Sequence, residues 1–406
     1  MHWLSDQNRS EFLACPQLVR FEYAQGKDGF EPTILIKGST LLLKYIVLGA
    51  PMQLAFAKCE NRLVCALRIS DDGADGGILW SVVEREEELK GILGLSNGEP
   101  LVAFLFNEIA VNVSWNNLPI SREIERLRDM TASTKLGPFD HSSSQTLLYP
   151  MLEKLHFLRG TDADWIVLDV GGKSDWKPVK NHFITASASS SLIDIFDSDE
   201  GNQQEQIGVW LTDNLQPFGV YHSPQRPHKD KERRELTDIL LSHQYGPTLI
   251  ESKTLSVLAR SKLPDRAKLK QDVAGHISKA FKQLRGGIRK LKDGVEITSL
   301  SGEVLEVERQ QPAHAIVLVP DLDLIDSPNE YDHKFITDFM KETGGFPHIL
   351  DISELLRVVQ AAEMIVARGT STTLMMAFYY YLIERAKKAA KAGNLRIEVI
   401  LRFDDE

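Results

Sequence analysis

The chain has 406 residues, 43% hydrophobic and 26% charged, which is enough for two or three domains that each bury a core. Its three cysteines, Cys15, Cys59 and Cys65, fit neither a disulfide framework nor a metal-ligand spacing and point to a reducing, cytoplasmic setting. The opening MHWLSDQNRSEF lacks an apolar signal region, and the longest apolar run, Leu374 to Ile383, falls short of the roughly 20 residues a membrane span needs, so a soluble protein with no membrane partner is expected.

The net charge of -10 is unevenly spread. Residues 1–219 carry 19 basic against 30 acidic side chains, and residues 220–406 carry 28 against 27. Within 251–293 the count is 12 against 4. A local basic excess on an acidic protein is the electrostatic footprint expected of a nucleic-acid binder.

From residue 30 to about 115 the runs PTILIKG, LLLKYIVLG, MQLAFAK, RLVCALRI, GILWSVV, PLVAFLF and AVNVSW recur between Gly, Asn and Asp breaks. They predict a β-rich N-terminal domain over residues 1–130, as a meander or partly open barrel. Its acidity suggests that it binds protein or a small ligand rather than nucleic acid. Glu88-Leu89-Lys90, inside EREEELK, reads as a solvated helix face. A helix is expected at Ile120–Arg128 with Ser121 as its cap.

Residues 131–219 read as a linker and α/β connecting region. Thr131–Thr146 is loop by composition, followed by a helix near Leu147–Leu158 and a strand at Trp165–Val170. Gly171-Gly172-Lys173-Ser174 resembles the tail of a P-loop, but Val167 stands where the upstream glycine is required, which excludes a Walker motif. The polar stretches Ser187–Ser191 and Asp197–Gln206 are expected to be exposed or disordered, and Gly208–Leu211 a strand. YHSPQRPH, at residues 221–228, marks the boundary of a C-terminal domain, residues 220–406.

That domain opens on KDKERRELTDILLSHQYGPTLIESK. A charged helical turn precedes two apolar runs, Ile239–Leu241 and Thr248–Ile250, and the Gly-Pro pair between them predicts a β-hairpin. Antiparallel pairing sets Asp238 against the Glu251–Lys253 end of the second strand, where Glu251 and Lys253 share a face about 7 Å apart. Two carboxylates and an ammonium then converge on one end of an apolar hairpin. Buried carboxylates need a partner, and Mg²⁺ is held by one or two of them together with water and substrate phosphate.

Asp238 followed by Glu251-Ser252-Lys253 at the end of a second strand resembles the PD-(D/E)xK nuclease superfamily, with Thr237 in place of the proline. The likeness covers Pro227 to Arg289 and extends toward the C-terminus as the rest of one domain. It implies a restriction-endonuclease-like α/β fold with a mixed central sheet, and hydrolysis of phosphodiesters, DNA favoured, with Mg²⁺ or Mn²⁺. It also implies metal ligation by Asp238 and Glu251, action of Lys253 on water and phosphate, support from Glu235 and Gln283, and a role in antiviral defence. The alternative is an inactive nuclease fold that serves as a binding or sensor module; self-association is compatible with either.

From Asp272 the period becomes helical, with Val273, Ile277, Phe281, Leu284, Ile288 and Leu291 on one stripe. Lys279, Lys282, Arg289 and Lys290 beside it are the candidate phosphate contacts. Beyond lie expected strands at His314–Pro320, His348–Ile352 and Leu395–Phe403, and helices at Lys334–Glu342, Asp351–Ile365 and Thr372–Ala392. Asp321, Asp323 and Asp326 lack the glycine and glutamate of a calcium loop and read as a polar turn. His348 reads as a core histidine.

Overall fold

The computed structural model describes the chain except residues 1, 28, 71–76, 97–98, 121–123, 140, 158–163, 171–174, 186–189, 229–231, 259, 261–264, 326–330, 370 and 398–406. It divides into two compact units. One comprises Met1–Asn181 with Asp194–Phe196 and Val257–Arg266, the other His182–Ile193, Asp197–Ser256 and Ala267–Glu406. Both mix helix with strand.

In the first unit, helix α1 (Asp6–Ala14) leads into the antiparallel pair β1 (Leu18–Gln25) and β2 (Phe30–Lys37). Helix α2 (Thr40–Val47) precedes β3 (Met52–Cys59), β4 (Arg62–Ile69) and β5 (Gly77–Val82). Helix α3 (Glu86–Ser96) precedes β6 (Leu101–Phe106) and β7 (Asn112–Leu118). Helices α4 (Ile124–Ala132) and α5 (His141–Phe157) lead to β8 (Trp165–Val170) and the short β9 (Lys177–Pro178). Two sheets result, ordered β1-β2-β6-β7-β9 and β5-β4-β3-β8.

The expected meander or barrel is therefore corrected to two sheets interleaved with helices, in which β2 pairs parallel with β6. The run LLLKYIV forms helix rather than strand. Ser39 caps it by accepting from the Leu42 N–H, and Leu41, Leu43, Tyr45 and Ile46 are buried. Much of the loop expected at 131–146 is helical, while the expected cap Ser121 and the run Gly171–Ser174 lie outside the described residues. Strand β8 appears where expected and pairs with β3.

The second unit contains the ribbon β10 (Asn181–Ile184) and β11 (Ser190–Ile193), then α6 (Glu200–Asp213) and β12 (Gly219–His222). A second ribbon, β13 (Gln225–Pro227) and β14 (Arg233–Glu235), precedes β15 (Ile239–Ser242) and β16 (Thr248–Ser252). Helix α7 (Arg266–Lys292), β17 (His314–Leu318), α8 (His333–Thr343), β18 (Phe346–Leu350), α9 (Ile352–Ala367) and α10 (Leu374–Ala392) complete it. The central sheet runs β12-β15-β16-β17-β18, antiparallel across the first three strands and parallel across the last three.

The hairpin forms where its sequence placed it. Gly246 turns it at φ 136°, and a Cβ there would stand 2.4 Å from the Pro312 carbonyl oxygen, so only glycine fits. All six apolar residues of the α7 stripe are buried. Two helical glycines let helices close on the sheet. Gly208 of α6 lies under Ile239 and Leu318, and Gly287 of α7 lies under Leu249 and the Leu236 carbonyl. Strand alternation puts Ile239 and Leu249 on opposite faces, so α6 and α7 cover the sheet from its two sides.

Several expectations yield here. Of the polar run, Asp197–Asp199 are exposed as expected, but Glu200–Gln206 and residues 208–211 belong to α6, which Asp199 caps and which buries Glu200, Gln203 and Gln204. The charged turn before the hairpin is β14, not helix, because β13 supplies it with a ladder. Helix α7 begins at Arg266, six residues before the expected start of the helical period at Asp272. Residues 395–397 are not strand, and Asp326 lies outside the described residues. Asp321 accepts from the Asp323 N–H in a polar turn, and His348 is fully buried, both as expected.

Candidate active site

The register Ile239↔Ile250 carries Asp238 into line with Glu251 at one end of the β15–β16 hairpin. Three hydrogen bonds fix that end. Thr237 Oγ1 donates to the Ile250 carbonyl at 2.8 Å, the Ser252 N–H to Asp238 Oδ2 at 2.6 Å, and the Lys253 N–H to the Leu318 carbonyl at 2.8 Å. The Ser223 N–H donates to the Asp238 carbonyl at 2.8 Å and ties in the neighbouring strand. The backbone at Asp238 is thus held from both sides.

The side chains meet as the spacing predicts. Lys253 Nζ lies 2.9 Å from Glu251 Oε2 and 3.4 Å from Asp238 Oδ2, so one ammonium bridges two carboxylates. Glu251 is 1% exposed and Asp238 9%, while Lys253 is half-buried. Burial pushes the Asp238 carboxyl up to about 6 against the pull of Lys253, with the charge of Glu205 adding to the rise. Burial and the neighbouring Asp238 push Glu251 up to about 7. Burial opposes the Lys253 ammonium, yet Glu251 and Asp238 hold its pKa above the usual lysine value. Two carboxylates that ionise reluctantly beside a single ammonium form a site short of positive charge.

Glu235 stands on β14, exposed, and its charge contributes to the rise at both carboxyls. Gln283 is exposed on α7, and among the described residues no hydrogen bond joins it to the three. Lys279, Lys282 and Arg289 are exposed on the same helix and Lys290 is half-buried. At 27 residues, α7 is about 40 Å long against about 17 Å for β16, so the helix overhangs the strand that carries Glu251.

Two residues of this neighbourhood escaped the sequence reading. Glu205 of α6 accepts from His222 of β12 at 2.8 Å, and that hydrogen bond raises the His222 pKa. The signal lay in Gln204, Ile207, Gly208 and Leu211, whose helical spacing was hidden by a polar composition. Beside them Gln204 donates to Ser252 Oγ and to the Leu318 carbonyl, both at 3.0 Å, and locks the helix to the strand end.

The donor set suits a hard divalent cation that keeps several waters, since it offers two carboxylates and no thiolate. Among the described residues no group of three or more His, Cys, Asp and Glu side chains is placed to hold a metal ion. Compared with protein-family models, curated proteins and solved structures, the chain matches none.

Proposed function

We propose that the second unit is a metal-dependent nuclease that hydrolyses phosphodiester bonds, DNA in the first instance. The observation that carries the reading is the Lys253 ammonium bridging Asp238 and Glu251 at the buried end of a central strand pair. The mixed order of the sheet and the helix behind the Glu-Ser-Lys strand agree with what the resemblance to PD-(D/E)xK nucleases implies.

In this reading Asp238 and Glu251 hold Mg²⁺, which when bound polarises the phosphate and acidifies a water. With a cation there to offset the charge shortage that burial creates, both carboxyls would stay ionised at neutral pH. Lys253 keeps its proton, because two carboxylates stabilise it. Its part is therefore electrostatic, orienting a water and offsetting negative charge on the phosphorus centre, rather than that of a general base. Glu235 adds negative charge at the rim, and the exposed lysines of α7 offer phosphate contacts.

One feature favours a second reading. Lys253 reaches both carboxylates, so the three groups form an ion-pair cluster on their own, an arrangement that would also suit a binding module. Chelation separates the two. Purified protein incubated with duplex and single-stranded DNA and RNA should cleave at least one with Mg²⁺ or Mn²⁺ and none with EDTA. Binding without metal-dependent cleavage on every substrate would leave the binding module.

A further inference from the structure

The β13–β14 ribbon grows from the same strands that carry Asp238, since β12 continues into β13 and β14 into β15. The Leu236 N–H donates to the Pro224 carbonyl at 2.8 Å, and the His228 N–H to the Glu232 carbonyl at 2.8 Å. The ladder sets Arg226 opposite Arg234, with Arg233 opposite Pro227. Side chains directly opposed across an antiparallel pair share a face with Cβ atoms about 5 Å apart, and like charges there are destabilising.

Among the described residues nothing offsets that cost. Among the described residues no carboxylate pairs with Arg226, Arg233 or Arg234, and the Arg226 guanidinium reaches only the Pro227 carbonyl, at 3.4 Å. Arg233 and Arg234 are exposed and Arg226 is half-buried. Residues 226–234 carry five basic side chains against two acidic ones. Arg234 precedes Asp238 by four residues, at most about 14 Å of chain.

We propose that the ribbon is a phosphate-binding arm and that the phosphodiester backbone of the substrate fills it. This rests on the nuclease reading and names the surface that grips the strand next to the scissile bond. Guanidinium groups match phosphate oxygens with paired N–H donors, and an opposed pair presents two such forks to one chain of phosphates. A bound polyanion supplies the counter-charge that the described residues do not.

The test uses the full chain and a labelled 20-mer DNA, single-stranded and duplex, with fluorescence anisotropy in EDTA so that nothing is cut. Arg226→Ala/Arg234→Ala should weaken binding by about tenfold or more near 0.1 M salt. It should also flatten the log–log salt dependence by roughly two, one for each lost phosphate contact. Its Mn²⁺ affinity by calorimetry should match the parent, and its melting temperature should hold or rise because a like-charge pair is gone. Arg226→Lys/Arg234→Lys should keep the salt slope while losing part of the affinity.

Unchanged affinity and slope in the alanine variant overturn the arm and leave the nuclease reading standing. Lost affinity accompanied by a lower melting temperature also counts against it, since the arginines would then be structural. If the parent binds no nucleic acid but holds a polyglutamate peptide that the variant releases, both readings fall in favour of an acidic partner.

Discussion

The tripeptide Glu-x-Lys occurs as Glu88-Leu89-Lys90 on α3 and as Glu251-Ser252-Lys253 at the end of β16, and the backbone decides what it does. On a helix, side chains two apart point about 200° apart. Glu88 accordingly turns inward, 1% exposed, while Lys90 reaches out to Glu86 at 3.9 Å. The expectation of a solvated face is right for the lysine and wrong for the glutamate. Glu88 accepts from Arg20 at 3.1 Å and from the Glu84 and Arg85 N–H groups at 2.9 and 3.1 Å, so it caps its own helix. On a strand the same spacing brings both side chains to one face, and an acid from the neighbouring strand completes a cluster. A spacing becomes a candidate site only when the backbone period aligns it.

The contrast is broken most severely at β16. Asp238→Asn, Glu251→Gln and Lys253→Ala should each lower Mg²⁺-dependent cleavage by about a thousandfold or more, roughly 4 kcal/mol, and double variants should lose little beyond that. In chelator Asp238→Asn should melt at the parental temperature or higher, because one of two crowded carboxylates is gone. Glu88→Gln should do the reverse. It deprives the buried Arg20 of a partner and should cost about 3 kcal/mol in denaturant unfolding, with cleavage per folded molecule unchanged.

The far end of the central sheet sharpens the comparison, because there the buried titratable groups are neutral. His314 Nδ1 and His348 Nε2 lie 2.9 Å apart, both rings fully buried. Burial holds His314 down to about 3, and burial, aided by His314 and Arg385, holds His348 well below the usual value. In the unfolded chain both take a proton near pH 6.5. The stability contributed by the neutral pair is therefore complete above about pH 6.5 and is lost as pH falls toward 3. Urea unfolding at pH 7 and pH 4.5 should show that loss, and His314→Leu/His348→Leu should flatten it. Lys90→Ala is the smallest change, within about 0.5 kcal/mol, as suits an exposed pair.

What the sequence revealed follows from how local each determinant is. The hairpin was legible because apolar runs, a Gly-Pro turn and period-two spacing agree within some 25 residues, and α7 because its stripe repeats over six positions. The run LLLKYIV was not legible, because β-branched and apolar residues suit either state and a single hydroxyl, Ser39, decided for helix. Helix α6 hid because its buried Gln204 finds its partners on Ser252 and Leu318, at sequence separations of 48 and 114. The Arg226–Arg234 pairing could not be read in advance, because KERRE carries the composition of a helix and only β13 makes it a strand.

Asp238 and Glu251 lie 13 residues apart across a short turn, whereas β17 reaches β16 only after roughly 60 intervening residues. Closing that longer loop costs about 2 kcal/mol more than closing the turn, so the hairpin should form first and the parallel strand should dock late. During synthesis the two carboxylates then remain hydrated until residues near 318 have left the ribosome. Pulse-labelling of amide hydrogens during refolding should find β15 protected before β17, so that the cluster is assembled early and sealed last.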